Sequence, residues 1–135
     1  MAKKANRAIS YLKKKAWSAC SIYIRKKYAD PYGWNTCYTC GTRKQWKEMD
    51  AGHGFAGRSK AVLFMEDVIR PQCKQCNIFN SGKLDIFTYK LRKEHGEKKF
   101  DRLYQEAHST KGQWKAWELD EMKMYYELHG GYISV

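Results

Sequence analysis

From Arg7 to Tyr28 the apolar residues Ile9, Leu12, Ala16, Cys20 and Tyr23 recur at the spacing of one helical stripe, while lysines and arginines crowd the positions between them. The pattern predicts a long helix with one buried face. Asp30-Pro31-Tyr32-Gly33 reads as a turn. Beyond it the period shortens: Lys47 to Ala51 suits a short strand, Gly52 to Lys60 a glycine-rich loop, and Val62 to Ile69 a second strand ending before Pro71. Helical spacing returns with Leu84, Phe87 and Leu91, then with Phe100, Leu103, Tyr104 and Ala107, the two runs parted by Gly96. A last helix is predicted from Gln113 to His129, stopped by Gly130-Gly131. Its apolar positions Trp117, Leu119, Met122, Tyr125 and Tyr126 spread widely around the axis, which calls for more than one partner surface. The predicted class is α+β, divided into a basic N-terminal helix (1–33), a ββα core (34–95) and a helical C-terminal extension (96–135).

Cysteine spacing adds a staple to that core. Cys37/Cys40 and Cys73/Cys76 are two Cys-x-x-Cys pairs separated by 32 residues, enough chain for two strands and a loop to return to one tetrahedral zinc ion. Gly41 supplies the reversal such a knuckle needs. A chain of 135 residues buries only about two thirds of its unfolded surface, so a metal staple is useful to it. The N-terminus lacks an apolar signal core and no run is long enough to cross a membrane, so a reducing cytoplasm is the expected location and metal ligation the expected use of the cysteines. Cys20, on the apolar stripe, reads as a core thiol.

Charge then points to a partner. Residues 1–47 carry twelve Lys/Arg against one acid, and the remaining residues fourteen against thirteen, so +11 of the formal +12 sits in the first third of the chain. A polycationic helix matches a phosphate backbone, with binding that is sequence-blind and weakened by salt. Lys13, Lys14, Lys15, Arg25, Lys26 and Lys27 are the candidate DNA contacts on the helix, and Arg43, Lys44, Arg58, Lys60 and Arg70 those around the core. A merely solvated basic face is the alternative; a membrane-surface helix is disfavoured by the shortage of bulky aliphatics.

Between the cysteine pairs stands Asp50-Ala-Gly-His53, and Asn77 follows the last cysteine. His53, after a glycine at a strand end, is the candidate general base, with a side chain that ordinarily titrates near neutrality. Asn77 offers a hard amide oxygen to Mg²⁺ or Mn²⁺, pinned in place by Cys76; its alternative role is a helix N-cap, and Asn80 on the same segment is an alternative ligand. Asp50 can ligate the catalytic cation, orient the imidazole or hold the loop. Zinc is thus read as scaffold and magnesium as catalyst, the thiolate site drawing His53 and Asn77 to face each other across a phosphate-sized gap. His95, His108 and His129 are read as structural or exposed.

Cys37-Tyr-Thr-Cys40-Gly41, Asp50-Ala-Gly-His53, Glu66-Asp67-Val-Ile69, Gln72-Cys73-Lys-Gln-Cys76-Asn77, Ser81-Gly82, Tyr89 and Leu91 together resemble the NinG/Rap recombination proteins of lambdoid bacteriophages over roughly residues 34–128. More broadly the core is similar to HNH nucleases with treble-clef zinc knuckles and to ββα-metal nucleases bearing an Asp-Arg-Gly-His motif. The resemblance implies a phage-encoded, metal-dependent endonuclease, resolvase-like, that cuts branched DNA such as Holliday junctions and D-loops. Two positions depart from the HNH pattern: Gly52 stands where a metal-ligating acid or histidine precedes the catalytic histidine, and Val68 where an asparagine braces the loop. Two-fold junctions would suit a homodimer formed through the last helix. The competing expectation is a zinc-stapled DNA-binding accessory protein without chemistry of its own; an RNA-binding zinc protein is a third, disfavoured because the aromatics form no obvious stacking platform.

Overall fold

The computed structural model describes residues 2–56, 59–109 and 112–130, with side chains from residue 8 onward. Helix α1 spans Ala2–Lys27; two short hairpins follow, β1 (Trp34–Thr36) with β2 (Arg43–Gln45) and β3 (Asp50–His53) with β4 (Ile69–Gln72), and α2 (Lys60–Leu63) lies in the β3–β4 connection. The chain closes with α3 (Leu84–His95), α4 (Glu97–Ser109) and α5 (Ala116–His129). The α+β class is as expected, and no helix among the described residues is long and apolar enough to cross a membrane.

The stripe on α1 is buried as its periodicity requires. Ala16, Ala19, Cys20 and Ile24 join Ala51, Leu63, Phe64, Ile69, Leu119 and Tyr126 in one core, with Ile9, Leu12, Trp17 and Tyr23 at its margin. Arg25, Lys26 and Lys27 in the last turn of α1 also oppose the negative end of its dipole. A second core gathers Val62, Phe87, Leu91, Phe100, Leu103 and Ala107 from α2, α3 and α4, with Phe55 and Val68 from the β3–β4 connection. Through these cores the three sequence segments interlock: α1 packs on α5, β3 and β4, and α4 packs on α2 and α3.

The strand expected over 62–69 forms elsewhere. Residues 60–63 are a helical turn and 66–68 a 3₁₀ turn, while the strand runs through Pro71. Proline is tolerated because the carbonyl of Pro71 points away from β3 and accepts the Tyr38 N–H at 2.9 Å, so the missing N–H would also have faced away from the β3 ladder. That bond ties the two hairpins together. Gly54 ends β3, where a Cβ would lie 2.2 Å from Leu91 Cδ1, so the strand can abut α3 only with glycine there. The last helix begins at Ala116 rather than Gln113, capped where Glu118 accepts the Lys115 N–H at 2.9 Å.

Candidate metal centre and adjoining strand

The first knuckle is the β1–β2 turn. Cys37 N–H donates to Thr42 O, and Gly41 N–H to Cys37 O, with Gly41 at φ +81°, a conformation glycine reaches without Cβ strain. The second knuckle follows β4 directly, where Asn77 N–H donates to Cys73 O at 3.0 Å as the chain winds into a π-helical turn over Gln75–Phe79. The four sulfurs of Cys37, Cys40, Cys73 and Cys76 lie within 4.8 Å of one another, and Cys40 Sγ to Cys73 Sγ is 3.7 Å. Tetrahedral zinc with about 2.3 Å bonds sets its sulfurs about 3.8 Å apart, so the thiol cage fits a structural zinc ion. Burial pushes the Cys37 thiol up, but hydrogen bonds from the Cys73 backbone, the Thr39 hydroxyl and the Cys40 and Thr39 backbone outweigh it and bring it to about 6. Such donors stabilise the thiolate a metal requires. Cys20 is different: burial raises it to about 12, in keeping with a core thiol.

The β3–β4 register sorts the candidate site residues by face. Asp50 pairs with Gln72, Gly52 with Arg70 and His53 with Ile69, and side chains alternate along a strand, so Asp50 and Gly52 share one face while Ala51 and His53 share the other. On the first face Asn77 Nδ2 donates to Asp50 Oδ2 at 3.0 Å, and Lys74 Nζ holds Asp50 Oδ1 at 2.7 Å. Asn77 is therefore not an N-cap, and it, rather than the exposed Asn80, reaches Asp50. A Cβ on Gly52 would sit 1.9 Å from Gln72 Oε1 and 3.2 Å from Asn77 Oδ1. Gln72 is wholly buried; its Nε2 donates to Thr39 Oγ1 and Gly82 O, which fixes the amide, and its Oε1 has no hydrogen-bond partner among the described residues. The Gly82 carbonyl is presented by a run of positive φ through Ser81, Gly82 and Lys83. Two amide oxygens, Gln72 Oε1 and Asn77 Oδ1, thus face a residue without a side chain, beside an Asp50 carboxylate whose two oxygens are held by Lys74 and Asn77.

On the other face His53 Nε2 lies 3.0 Å from the Leu63 carbonyl oxygen, an acceptor only, so Nε2 carries a hydrogen and the lone pair of the neutral ring is on Nδ1. Its ring stacks on Trp17 of α1, centroids 4.7 Å apart and planes at 26°. This corrects the expectation that His53 and Asn77 face each other: His53 leaves one face of β3, and Asn77, from the turn after β4, lies against the other, over Gly52. Alternation of side chains is the reason, since Asp50 and His53 are three residues apart.

The candidate DNA contacts divide. Lys14 and Lys15 are exposed on α1 and Lys13 is half-buried, while Lys44 is exposed on β2. Arg43 pairs with Asp30, Lys60 with Glu118 and Lys27 with Glu66, and Lys26 lies over the Trp46 ring. Arg25 is bound to Ser21 and to the Trp46 carbonyl. Arg58 lies outside the described residues. Arg70 contradicts its assignment: its side chain is 3 % exposed, paired with Glu94, bonded to the Glu66 and Ile69 carbonyls and stacked against Tyr28 and Tyr38, so it faces the protein and not a phosphate. Two residues escaped the sequence reading. Gln72 gave no signal beyond its place before Cys73, whereas Trp17 stood at i+7 from Ser10 and i+4 from Lys13, a visible helical stripe.

Four thiols gathered within 4.8 Å of one another, in a fold of helices and two small sheets, define a small α+β protein with a candidate four-cysteine metal site. The chain belongs to the NinG family: the model described as Bacteriophage Lambda NinG protein matches residues 1–129, which takes in α1 as well as the motif-bearing core. No curated protein and no solved structure matches it.

Proposed function

We propose that this protein is a metal-dependent DNA endonuclease of phage recombination, hydrolysing phosphodiesters in branched DNA such as Holliday junctions and D-loops within the host cytoplasm. The core is read as a treble-clef ββα-metal unit, with zinc on Cys37, Cys40, Cys73 and Cys76. The observation that carries the reading is the composition of one strand end: Gln72 and Asn77 amide oxygens over the bare Gly52, Asp50 hydrogen-bonded to Asn77, and at the next position an imidazole whose Nε2 is tied to the Leu63 carbonyl. Asn77 and Asp50 would hold Mg²⁺ or Mn²⁺, and that ion would supply charge stabilisation at the phosphate oxygens. His53 acts as the base that takes the proton of attacking water at Nδ1. The exposed lysines of α1 bind backbone phosphates, which positions the duplex without reading its sequence.

The opposite-face placement of His53 and Asn77 favours a second reading, a zinc-stapled DNA-binding accessory protein that cuts nothing. One experiment separates them. Purified protein is incubated with a four-way junction and with linear duplex, in Mg²⁺ or Mn²⁺, with and without EDTA, beside a His53→Ala variant. The endonuclease reading expects EDTA-sensitive cutting that prefers the junction and falls about 10²–10⁴-fold in the variant, with junction binding retained. Wild-type protein that binds but never cuts, or a variant that cuts at the wild-type rate, overturns it.

A further inference from the structure

Ser10, Lys13, Lys14 and Trp17 are spaced i, i+3, i+4, i+7 and so share one face of α1, beside the buried stripe. With Leu63 of α2 they line a cleft of about 320 Å³, at the lower end of the range for small-ligand sites. Two of these five residues touch His53 directly: Trp17 stacks on its ring, and the Leu63 carbonyl receives its Nε2–H. Ala2–Lys27 contains no acidic residue, so nothing on the helix itself neutralises the two ammonium groups.

We propose that this cleft is a phosphodiester subsite, in which Lys13 and Lys14 hold a backbone phosphate beside His53 and Trp17 is the positioning residue that fixes the plane of the imidazole. An ammonium pair with an adjacent hydroxyl suits a phosphate monoanion, and an indole face suits both an imidazole ring and the apolar edge of a deoxyribose. The basic helix thereby becomes a wall of the site and not only an arm that attracts DNA. The role given to Trp17 in turnover rests on the endonuclease reading; phosphate capture by the cleft does not.

The test has two arms. In the first, a short DNA duplex is titrated into isotopically labelled protein while the His53 ring and Trp17 indole resonances are followed, and affinity is measured across a salt series for wild type and for Lys13→Ala/Lys14→Ala. Both rings should shift, and the slope of log affinity against log salt should fall by about 0.9 in the double variant, the share of the one phosphate the pair holds. Unmoved rings with an unchanged slope overturn the subsite. In the second arm, Trp17→Ala and Trp17→Phe are compared. The alanine variant should lose the single Nε2–H tautomer of His53 in its ¹⁵N spectrum, the phenylalanine variant should keep it, and kcat should fall about 10- to 100-fold in the former with KM little changed. If both variants keep the wild-type tautomer, Trp17 positions nothing. Should the wild type cleave no DNA, the endonuclease reading fails by itself, while the binding slopes and the tautomer signature still decide this proposal.

Discussion

Gly52→Ala adds one methyl group at the point where the oxygen-rich face of β3 is most crowded. Gly52 is not in the left-handed region, so the substitution costs nothing in backbone strain and acts through space alone. The new carbon would lie 1.9 Å from Gln72 Oε1 and 2.8 Å from Gln72 Cδ, against a normal separation above about 3 Å. The carboxamide must therefore retreat by more than about 1 Å, and it is tethered at Nε2 by bonds of 3.0 Å to Thr39 Oγ1 and 2.9 Å to Gly82 O. Stranding buried polar groups costs about 1–3 kcal/mol each, and replacing a strand glycine returns about 0.5–1 kcal/mol, so a net loss of about 2–4 kcal/mol follows. At about 4 °C per kcal/mol for a chain of this size, Tm should fall by about 8–16 °C. The assay is thermal unfolding of the zinc-loaded protein in a double-mutant cycle with Gln72→Ala. Removing the carboxamide removes the clash, so Gly52→Ala should cost almost nothing in that background. Equal penalties in the presence and absence of Gln72 would refute the reasoning.

The remaining predictions concern the staple and the buried arginine. Native mass spectrometry should find one zinc ion per chain, and Cys73→Ser should lose it together with the cooperative unfolding transition, because the ion joins the two hairpins; a metal-free variant with wild-type Tm would count against that. Burial pushes the Glu94 carboxyl up, but the bond to Arg70 and the charge of that guanidinium outweigh it and hold it below the ordinary glutamate range. A group depressed on folding contributes stability that is full above its unfolded value and is lost as pH falls through its folded value. Glu94→Gln should therefore flatten the stability profile below about pH 4.5 and cost about 1–2 kcal/mol at neutral pH, the buried-pair figure discounted because Glu94 is partly exposed. Denaturant titrations from pH 7 to pH 3 would show it, and parallel profiles for the two proteins would exclude the pair as a source of stability.

Long elements were legible in the sequence because their signal is repeated. The stripe from Ile9 to Tyr23 and the run Leu84, Phe87 and Leu91 each offer several residues at helical period, and all are buried or half-buried in the fold. The thiol cage was equally legible, since two Cys-x-x-Cys pairs at this separation are a metal-ligand pattern in their own right. Strand β4 was misplaced because Val62, Leu63 and Phe64 are apolar for another reason: two short turns split them between the two cores, with Val62 in one and Leu63 and Phe64 in the other. Arg70 was misread for a similar cause. Nothing local to it announces Glu94, which lies 24 residues further on, or the Tyr28 ring far upstream. Contacts that depend on distant register leave no periodic trace.

The face assignment of β3 follows from the same register, and it separates what holds each half of the candidate site. Gln72 and Asn77 flank the second cysteine pair, and Gln72 reaches Thr39 in the first, so the oxygen face is organised by the zinc knuckles. His53 is organised instead by Trp17 on α1 and by the carbonyl of Leu63 on α2, neither of which belongs to a knuckle. A perturbation of the thiolates should therefore displace Asp50 and Asn77 before it displaces the imidazole, and a perturbation of α1 should do the reverse. The two halves are joined along β3 itself, Asp50 at one end of the strand and His53 at the other. A substrate served by both must therefore cross β3 near its end at His53, beyond which Gly54 leads out of the strand.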